Sequence, residues 1–148
     1  TVFLIYFKTY RSSITIWFTL FLCSGLLIDS SPILHAFDIP ANILYVAEVL
    51  RASSFILLPA TFLLFTLAYS GNEKLLRKYI LILPFAIGIN LLLYLVWATD
   101  YIFVRQLQSD YGFLSGQYYY LLCLWILSLF ILSILILAST YTKSINQH

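Results

Sequence analysis

The chain has 148 residues, of which 62% are hydrophobic and only 9% are charged, with a formal net charge of +2 and a mean hydropathy of +0.96. Average soluble domains carry about 25% charged and about 45–50% apolar residues, so a soluble domain could not cover its surface with the charges present here. The composition predicts an all-α, multi-pass transmembrane helix bundle with the lipid bilayer as its partner, and no nucleic-acid partner is expected.

Five apolar segments follow one another along the chain. Residues 1–7, TVFLIYF, are too few to cross a bilayer, and we expect them to be the end of a partial span that begins before this sequence. Four nearly complete spans are predicted at residues 12–28, 50–69, 79–99 and 118–141, each close to the ~20 residues that cross the hydrocarbon core. We interpret residues 1–148 as one transmembrane domain, a piece of a longer protein.

The sign of the charged residues alternates between successive turns. Basic residues stand in the first turn, in the third turn and after the last span (Lys8, Arg11, Lys74, Arg77, Lys78 and Lys143). The other two turns hold mainly acidic residues (Asp29, Asp38, Asp100 and Asp110, with Arg105). Cytoplasmic loops of membrane proteins carry an excess of Lys and Arg. The pattern predicts a cell-membrane protein whose basic loops and carboxyl end are cytoplasmic.

The two turns on the outer side contain sequence patterns of their own. The first, residues 29–42, mixes Pro32 and Pro40 with apolar residues, and we expect this loop to lie on the membrane interface. Residues 101–108, YIFVRQLQ, alternate in the manner of a strand and precede Gly112. The second outer loop is therefore predicted to form a short β-hairpin that caps the outer mouth of the bundle.

Glu48 and Arg51 are unexpected charges on the helix that leads into the span with Pro59. They stand three residues apart and so share one face of a helix. Charged residues near the membrane are candidates for function. Two interpretations remain open: a mutually compensating pair at the outer interface, or the lining of an outward-facing polar pocket that binds a sensed ligand.

A polar and aromatic stripe lies on the next span. Asn90, Tyr94 and Trp97 recur at the spacing of one helix face, and such a stripe either hydrogen-bonds to other helices or contacts a ligand. Pro59 and Pro84 lie inside predicted spans and are candidate kinks or hinges. Pro59 in particular frees a backbone carbonyl, which a neighbouring helix would have to satisfy.

The sequence contains no recognisable catalytic motif. It has no glycine-rich phosphate loop, no nucleophile elbow and no clustered carboxylates, so no catalytic residue, cofactor or metal site is predicted and the chain itself is not expected to be an enzyme. Cys23 and Cys123 are not spaced as metal ligands. Both are expected to be buried as small hydrophobic residues.

The stretch LRASSFILLPATFLLFTLAYSGNEKLLRKYILILPFAI, residues 50–87, carries a family resemblance. A central proline, then Phe-x-Leu-x-Tyr-Ser-Gly, a basic turn and an early proline in the next span follow in order (Pro59, Phe65, Leu67, Tyr69, Ser70, Gly71, Arg77 and Pro84). This order resembles the amino-terminal seven-transmembrane sensor region of membrane histidine kinases. Residues 110–129, DYGFLSGQYYYLLCLWILSL, are similar to the outer loop and aromatic-rich helix of that region.

The resemblance implies a sensory input domain. The chain would cover the end of span one to span five, and two further spans with a cytoplasmic effector domain, such as a histidine kinase, would follow in the same parent protein, which could form a homodimer. The alternative is a fragment of a membrane transporter or membrane-embedded enzyme, which would need a polar path through the core, where the sequence offers little besides Asn90. A purely structural bundle that anchors a partner is the third interpretation.

The predicted orientation can be tested by cysteine labelling in intact cells. With Cys23 and Cys123 replaced by Ser, a cysteine at Asn72 should stay unlabelled by an impermeant reagent added from outside, because its turn is basic. A cysteine at Asp110 should be labelled and serves as the control. External labelling at Asn72 would contradict the topology.

Overall fold

The computed structural model describes residues 13–37, 39–71, 79–108 and 112–145. These residues form four helices and two short strands: α1 Ser13–His35, α2 Ala41–Tyr69, α3 Tyr79–Ala98, β1 Phe103–Gln108, β2 Gly112–Ser115 and α4 Tyr119–Ile145. Three helical stretches among them are long and apolar enough to cross a membrane: Ile14–Leu34, Ala41–Tyr69 and Tyr119–Thr142. The length and hydropathy of these helices support the prediction of a helical membrane protein. The partial span at 1–7 and the basic turn at 74–78 lie outside the described residues.

The connection between α1 and α2 is shorter than the sequence predicts. Helix α1 continues seven residues beyond the predicted end at 28, through Pro32, and α2 begins nine residues before the predicted start at 50. Pro40 stands at the start of α2 with φ −54° and ψ 138°, and its carbonyl accepts hydrogen bonds from the amides of Ile43 and Leu44. Hydropathy falls where polar residues begin, but the helical backbone does not end there.

Helix α2 is the centre of the described bundle. Most of it is buried, whereas most of α1 and α4 faces outward. Its buried face is rich in small residues (Ala47, Ala52, Ser53, Ser54, Ala60, Thr61, Thr66 and Ala68). Small residues let helix backbones approach closely in a membrane, where apolar burial gives no preference for protein over lipid. The composition of this face explains why α2 takes the central position.

Aromatic contacts set the direction of the neighbouring helices. Phe18 and Phe21 of α1 pack on Phe65 and Phe62 of α2, with ring centroids 5.4 and 5.2 Å apart, so the two helices are antiparallel. Phe130 of α4 packs on Phe62 at 5.4 Å. The Trp125 indole of α4 reaches the Ile56 carbonyl of α2, so α4 runs parallel to α2.

The core consists of two clusters stacked along α2. One lies near the beginning of α2 and contains Val49, Ala52, Ile56, Leu92, Val96, Ile102 and Leu122. The other lies nearer its end and contains Ala60, Leu63, Leu67 and Leu129. We call the end of the bundle where α2 begins the Glu48 end.

Strands β1 and β2 connect α3 to α4 at the Glu48 end. They pair antiparallel, with Phe103 opposite Ser115 and an irregular register beyond Val104. Gly116 follows β2, and its amide donates to the Ile102 carbonyl at 2.6 Å. A Cβ at position 116 would collide with the carbonyl of Tyr101, so this close return of the backbone requires glycine.

The two cysteines do not occupy the buried positions expected from the sequence. Cys23 and Cys123 are both free and exposed on the described structure. The expectation of burial was wrong because the outward face of a membrane helix is as apolar as its packed face, so hydropathy does not distinguish the two.

Overpacking α2 should destabilise the bundle. Ala60 is 1% exposed, so Ala60→Leu should lower the free energy of unfolding by about 1–3 kcal/mol, because the added side chain separates helices that are in close contact. Ala138→Leu places the same change on an exposed position of α4 and should shift stability by less than about 0.5 kcal/mol. Thermal unfolding in one detergent compares them, and equal losses would contradict the central role of α2.

Candidate functional site

Glu48 and Arg51 form an ion pair on the third turn of α2. The Arg51 Nε and Nη2 atoms donate to the same Glu48 carboxylate oxygen, Oε2, at 3.1 and 2.7 Å. The Glu48 side chain is 1% exposed and the Arg51 side chain 21%. The carboxylate is thus the buried member of the pair, and the guanidinium keeps access to the surface of the bundle.

Trp97 ties the end of α3 to the same part of α2. Its indole Nε1–H donates to the Ser53 hydroxyl oxygen at 2.8 Å, and the Ser53 hydroxyl in turn donates to the Val49 carbonyl at 2.8 Å. The Trp97 side chain remains 55% exposed. Ser53 lies two residues after Arg51, so the ion pair and the indole contact occupy the same level of the bundle.

The remainder of the predicted stripe on α3 does not reach α2. The Asn90 amide donates to the Ala86 carbonyl of its own helix at 2.8 Å, and Tyr94 is 62% exposed. Instead, Leu92 and Val96 are the buried residues of α3 in the core. The interhelical contact expected of the stripe is therefore made at Trp97, while Asn90 and Tyr94 stand on the exposed face.

The loop after α3 and the start of α4 close over this level. Ile102 is fully buried in the core cluster, and Tyr119 packs against the same cluster. The Tyr119 side chain hydrogen-bonds with Cys123, one turn further along α4. Tyr101 and Tyr118 meet edge to face with ring centroids 5.4 Å apart.

We define the polar cluster as Glu48, Arg51, Ser53, Trp97 and Tyr119. The sequence pointed to Glu48, Arg51 and Trp97 through charge and helical spacing. It did not point to Ser53 or Tyr119, because their roles depend on which helices meet, and one more Ser or Tyr in an apolar helix carries no signal of its own. The Trp97–Ser53 hydrogen bond joins α3 to α2 in this cluster, and Tyr119 of α4 packs against the core beside it.

The candidate hinge residues lie inside helices. Pro59 is buried in the middle of α2, which continues through it as one helix, and position 84 lies within α3. The Trp125 indole Nε1–H donates to the Ile56 carbonyl at 3.2 Å, three residues before Pro59. This acceptor is the carbonyl next to that of Phe55, which is the one that Pro59 leaves without its amide donor, so the bond does not itself meet the expectation from the sequence.

The part of the chain that the structure describes contains no group of three or more His, Cys, Asp or Glu side chains that could hold a metal. An open, mainly apolar groove of about 390 Å³ lies between α1 and α2, lined by Phe21, Leu22, Gly25, Leu26, Asp29 and Leu58. None of these residues belongs to the polar cluster.

Comparisons of the chain with protein-family models, with curated proteins and with solved structures found no match. The polar cluster, the arrangement of the helices and the sequence patterns are thus the observations that bear on function.

The burial of the ion pair predicts unequal effects of its two members. Arg51→Ala removes the ion-pair partner of a buried carboxylate and should cost about 3 kcal/mol of unfolding free energy. Glu48→Ala leaves a guanidinium that can turn toward the surface and should cost about 1 kcal/mol.

The double variant Glu48→Ala/Arg51→Ala is the control for this ranking. It should be more stable than Arg51→Ala alone, because no buried carboxylate remains to be neutralised. Unfolding curves of the three variants in one detergent measure the effect. Strictly additive losses would contradict a coupled pair.

Proposed function

We propose that this chain is the transmembrane input domain of a signalling protein, which relays an outer-face or membrane stimulus to a cytoplasmic effector such as a histidine kinase. The observation that carries the proposal is the polar cluster at the Glu48 end. Its contacts combine the Glu48–Arg51 pair within α2 with the Trp97–Ser53 hydrogen bond, which links α2 to α3 at the same level. A stimulus that changes these contacts would act on α2, against which α1, α3 and α4 all pack.

The charge pattern supports the direction of the relay. The acidic turns on either side of the Glu48 end favour the outer face, and the basic turns favour the cytoplasm. On this topology the β1–β2 hairpin caps the outer mouth of the bundle, and the chain after Lys143 leads to the effector. The partners are then the bilayer, an effector domain in the parent chain and, in a homodimer, a second copy.

The resemblance to seven-transmembrane sensor regions points to the same class of protein. Its motif includes Pro59 in α2, a helix that touches each of the other described helices. On this proposal the chain itself performs no catalysis, and the enzyme activity belongs to the effector of the parent protein.

A transporter or membrane enzyme is the alternative, and the polar side chains at depth weigh against it. The hydroxyls of Ser54, Thr61 and Thr66 donate to carbonyls of their own helix. The Asn90 amide does the same from an exposed position. These groups satisfy local backbone acceptors and do not line a continuous polar path through the described bundle.

The proposal is tested by measuring effector output of the full-length parent with Glu48→Ala, Arg51→Ala and the double variant. If the pair receives the stimulus, all three variants should lose the response while membrane insertion stays normal. Ser139→Ala removes an exposed hydroxyl that bonds to its own helix on α4 and should leave the response unchanged. Wild-type signalling by all three variants would contradict a sensing role of the cluster.

A further inference from the structure

The middle of α2 is a weak point in its hydrogen-bond ladder. Pro59 has no amide hydrogen, so the Phe55 carbonyl lacks its donor from four residues ahead, and the proline ring crowds that carbonyl. Two residues after the proline, the Thr61 hydroxyl bonds to the carbonyls of Leu57 and Leu58, and such back-bonding favours bending of a helix. This segment is where α2 would bend.

The weak point lies between the two core clusters. Ile56 belongs to the cluster nearer the Glu48 end, and Ala60 belongs to the cluster nearer Tyr69. Pro59 stands between them. A bend at this place would therefore let each half of α2 move together with its own cluster.

Trp125 of α4 joins the two halves. Its ring packs against both clusters, and its Nε1–H donates to the Ile56 carbonyl at 3.2 Å. The ring also stacks on Phe85 of α3, with ring centroids 5.8 Å apart. One side chain of α4 thus contacts both sides of the weak point and is itself packed against α3.

Gly88 of α3 provides the space for this arrangement. A Cβ at position 88 would lie 2.9 Å from the Trp125 ring, a distance at which the ring would have to shift. Glycine inside a helix costs stability relative to alanine. Here the missing side chain is what allows the indole to reach α2.

We infer that Trp125, seated against Gly88, is a positioning residue that holds a hinge of α2 at Pro59. The N–H bond to the Ile56 carbonyl fixes the position of the indole, and the ring so fixed packs against the core cluster of the half of α2 that ends at Tyr69. When that bond is released, the half of α2 that ends at Tyr69 tilts relative to α4. The inference about the hinge stands on the geometry; its use in relaying a stimulus rests on the proposed function.

The hinge can be tested by distances between spin labels in the chain reconstituted in lipid nanodiscs, with Cys23 and Cys123 replaced by Ser. One label pair stands at the exposed positions Tyr69 and Tyr141, at the ends of α2 and α4. Ten residues separate Pro59 from Tyr69, about 15 Å of helix, so a tilt of about 20° moves the end by about 5 Å. Labels at the exposed positions Val46 and Tyr120 report the other half of α2.

Trp125→Phe removes the N–H and keeps an aromatic ring. It should broaden or shift the distance between positions 69 and 141 by about 5 Å and leave the pair 46 and 120 unchanged. Gly88→Ala should produce the same change by displacing the ring. Trp97→Phe is the matched control, because it removes the other interhelical indole N–H bond described, to Ser53 at 2.8 Å, and should not affect positions 69 and 141.

A second substitution, Pro59→Ala, tests whether the change depends on the proline, because it restores the amide donor to α2. Trp125→Phe combined with Pro59→Ala should return the distance between positions 69 and 141 to its wild-type value. The inference is overturned if Trp125→Phe and Gly88→Ala leave that distance unchanged, if Trp97→Phe alters it equally, or if Pro59→Ala fails to restore it.

Measuring the effector output of the parent protein shows whether the hinge takes part in relaying the stimulus. Trp125→Phe should alter that output, and Pro59→Ala should restore it. A distance change without a change in output keeps the hinge and contradicts the relay in the proposed function. An output change with unaltered distances overturns the hinge.

Discussion

Close backbone approach to α2 is the constraint on which the rest of the described structure depends. In a bilayer, apolar side chains gain little by leaving lipid for protein, so helices associate where small residues allow close contact and where polar groups find partners. Helix α2 offers such a face over most of its length, through Ala, Ser and Thr residues that include Ala52 and Ala60. Large aromatic residues such as Phe62 and Phe65 then fill the sides and fix the direction of α1 and α4.

The same helix carries the polar groups that lipid cannot satisfy. Every backbone carbonyl and buried side chain in the hydrocarbon region needs a partner within the protein. On α2, Ser53 is bonded by Trp97 of α3, and the Ile56 carbonyl is bonded by Trp125 of α4. Two indole N–H groups on different helices thus serve polar atoms of one central helix. These contacts give the bundle specificity that small-residue packing alone would not provide, because an indole donor has to meet its acceptor at one position.

The sequence predicted the class of fold more completely than the arrangement of its helices. Hydropathy located the helices, but the ends at His35 and Ala41 lie outside the apolar runs, since polar residues at the interface continue a helix that hydropathy ends. Helical spacing brought Glu48 and Arg51 together, yet it could not tell which of them is buried. The sequence could not predict the Trp125 contact, because this contact joins residues 69 positions apart and depends on Gly88 of a third helix.

The position of the polar cluster relative to Pro59 suggests how the proposed relay would work: through the rigid half of α2 that lies between them. Glu48 precedes Pro59 by eleven residues, so about 16 Å of α2 lies between the ion pair and the break in the ladder. A rigid half-helix of that length transmits a change of tilt to its far end, whereas a surface loop would absorb it. The cluster and the indole of Trp125 act on the same half-helix from opposite ends, since Ile56 still belongs to it. A change in the charge pair would therefore place strain on the Trp125 hydrogen bond, the interaction that joins the proposed relay to the proposed hinge.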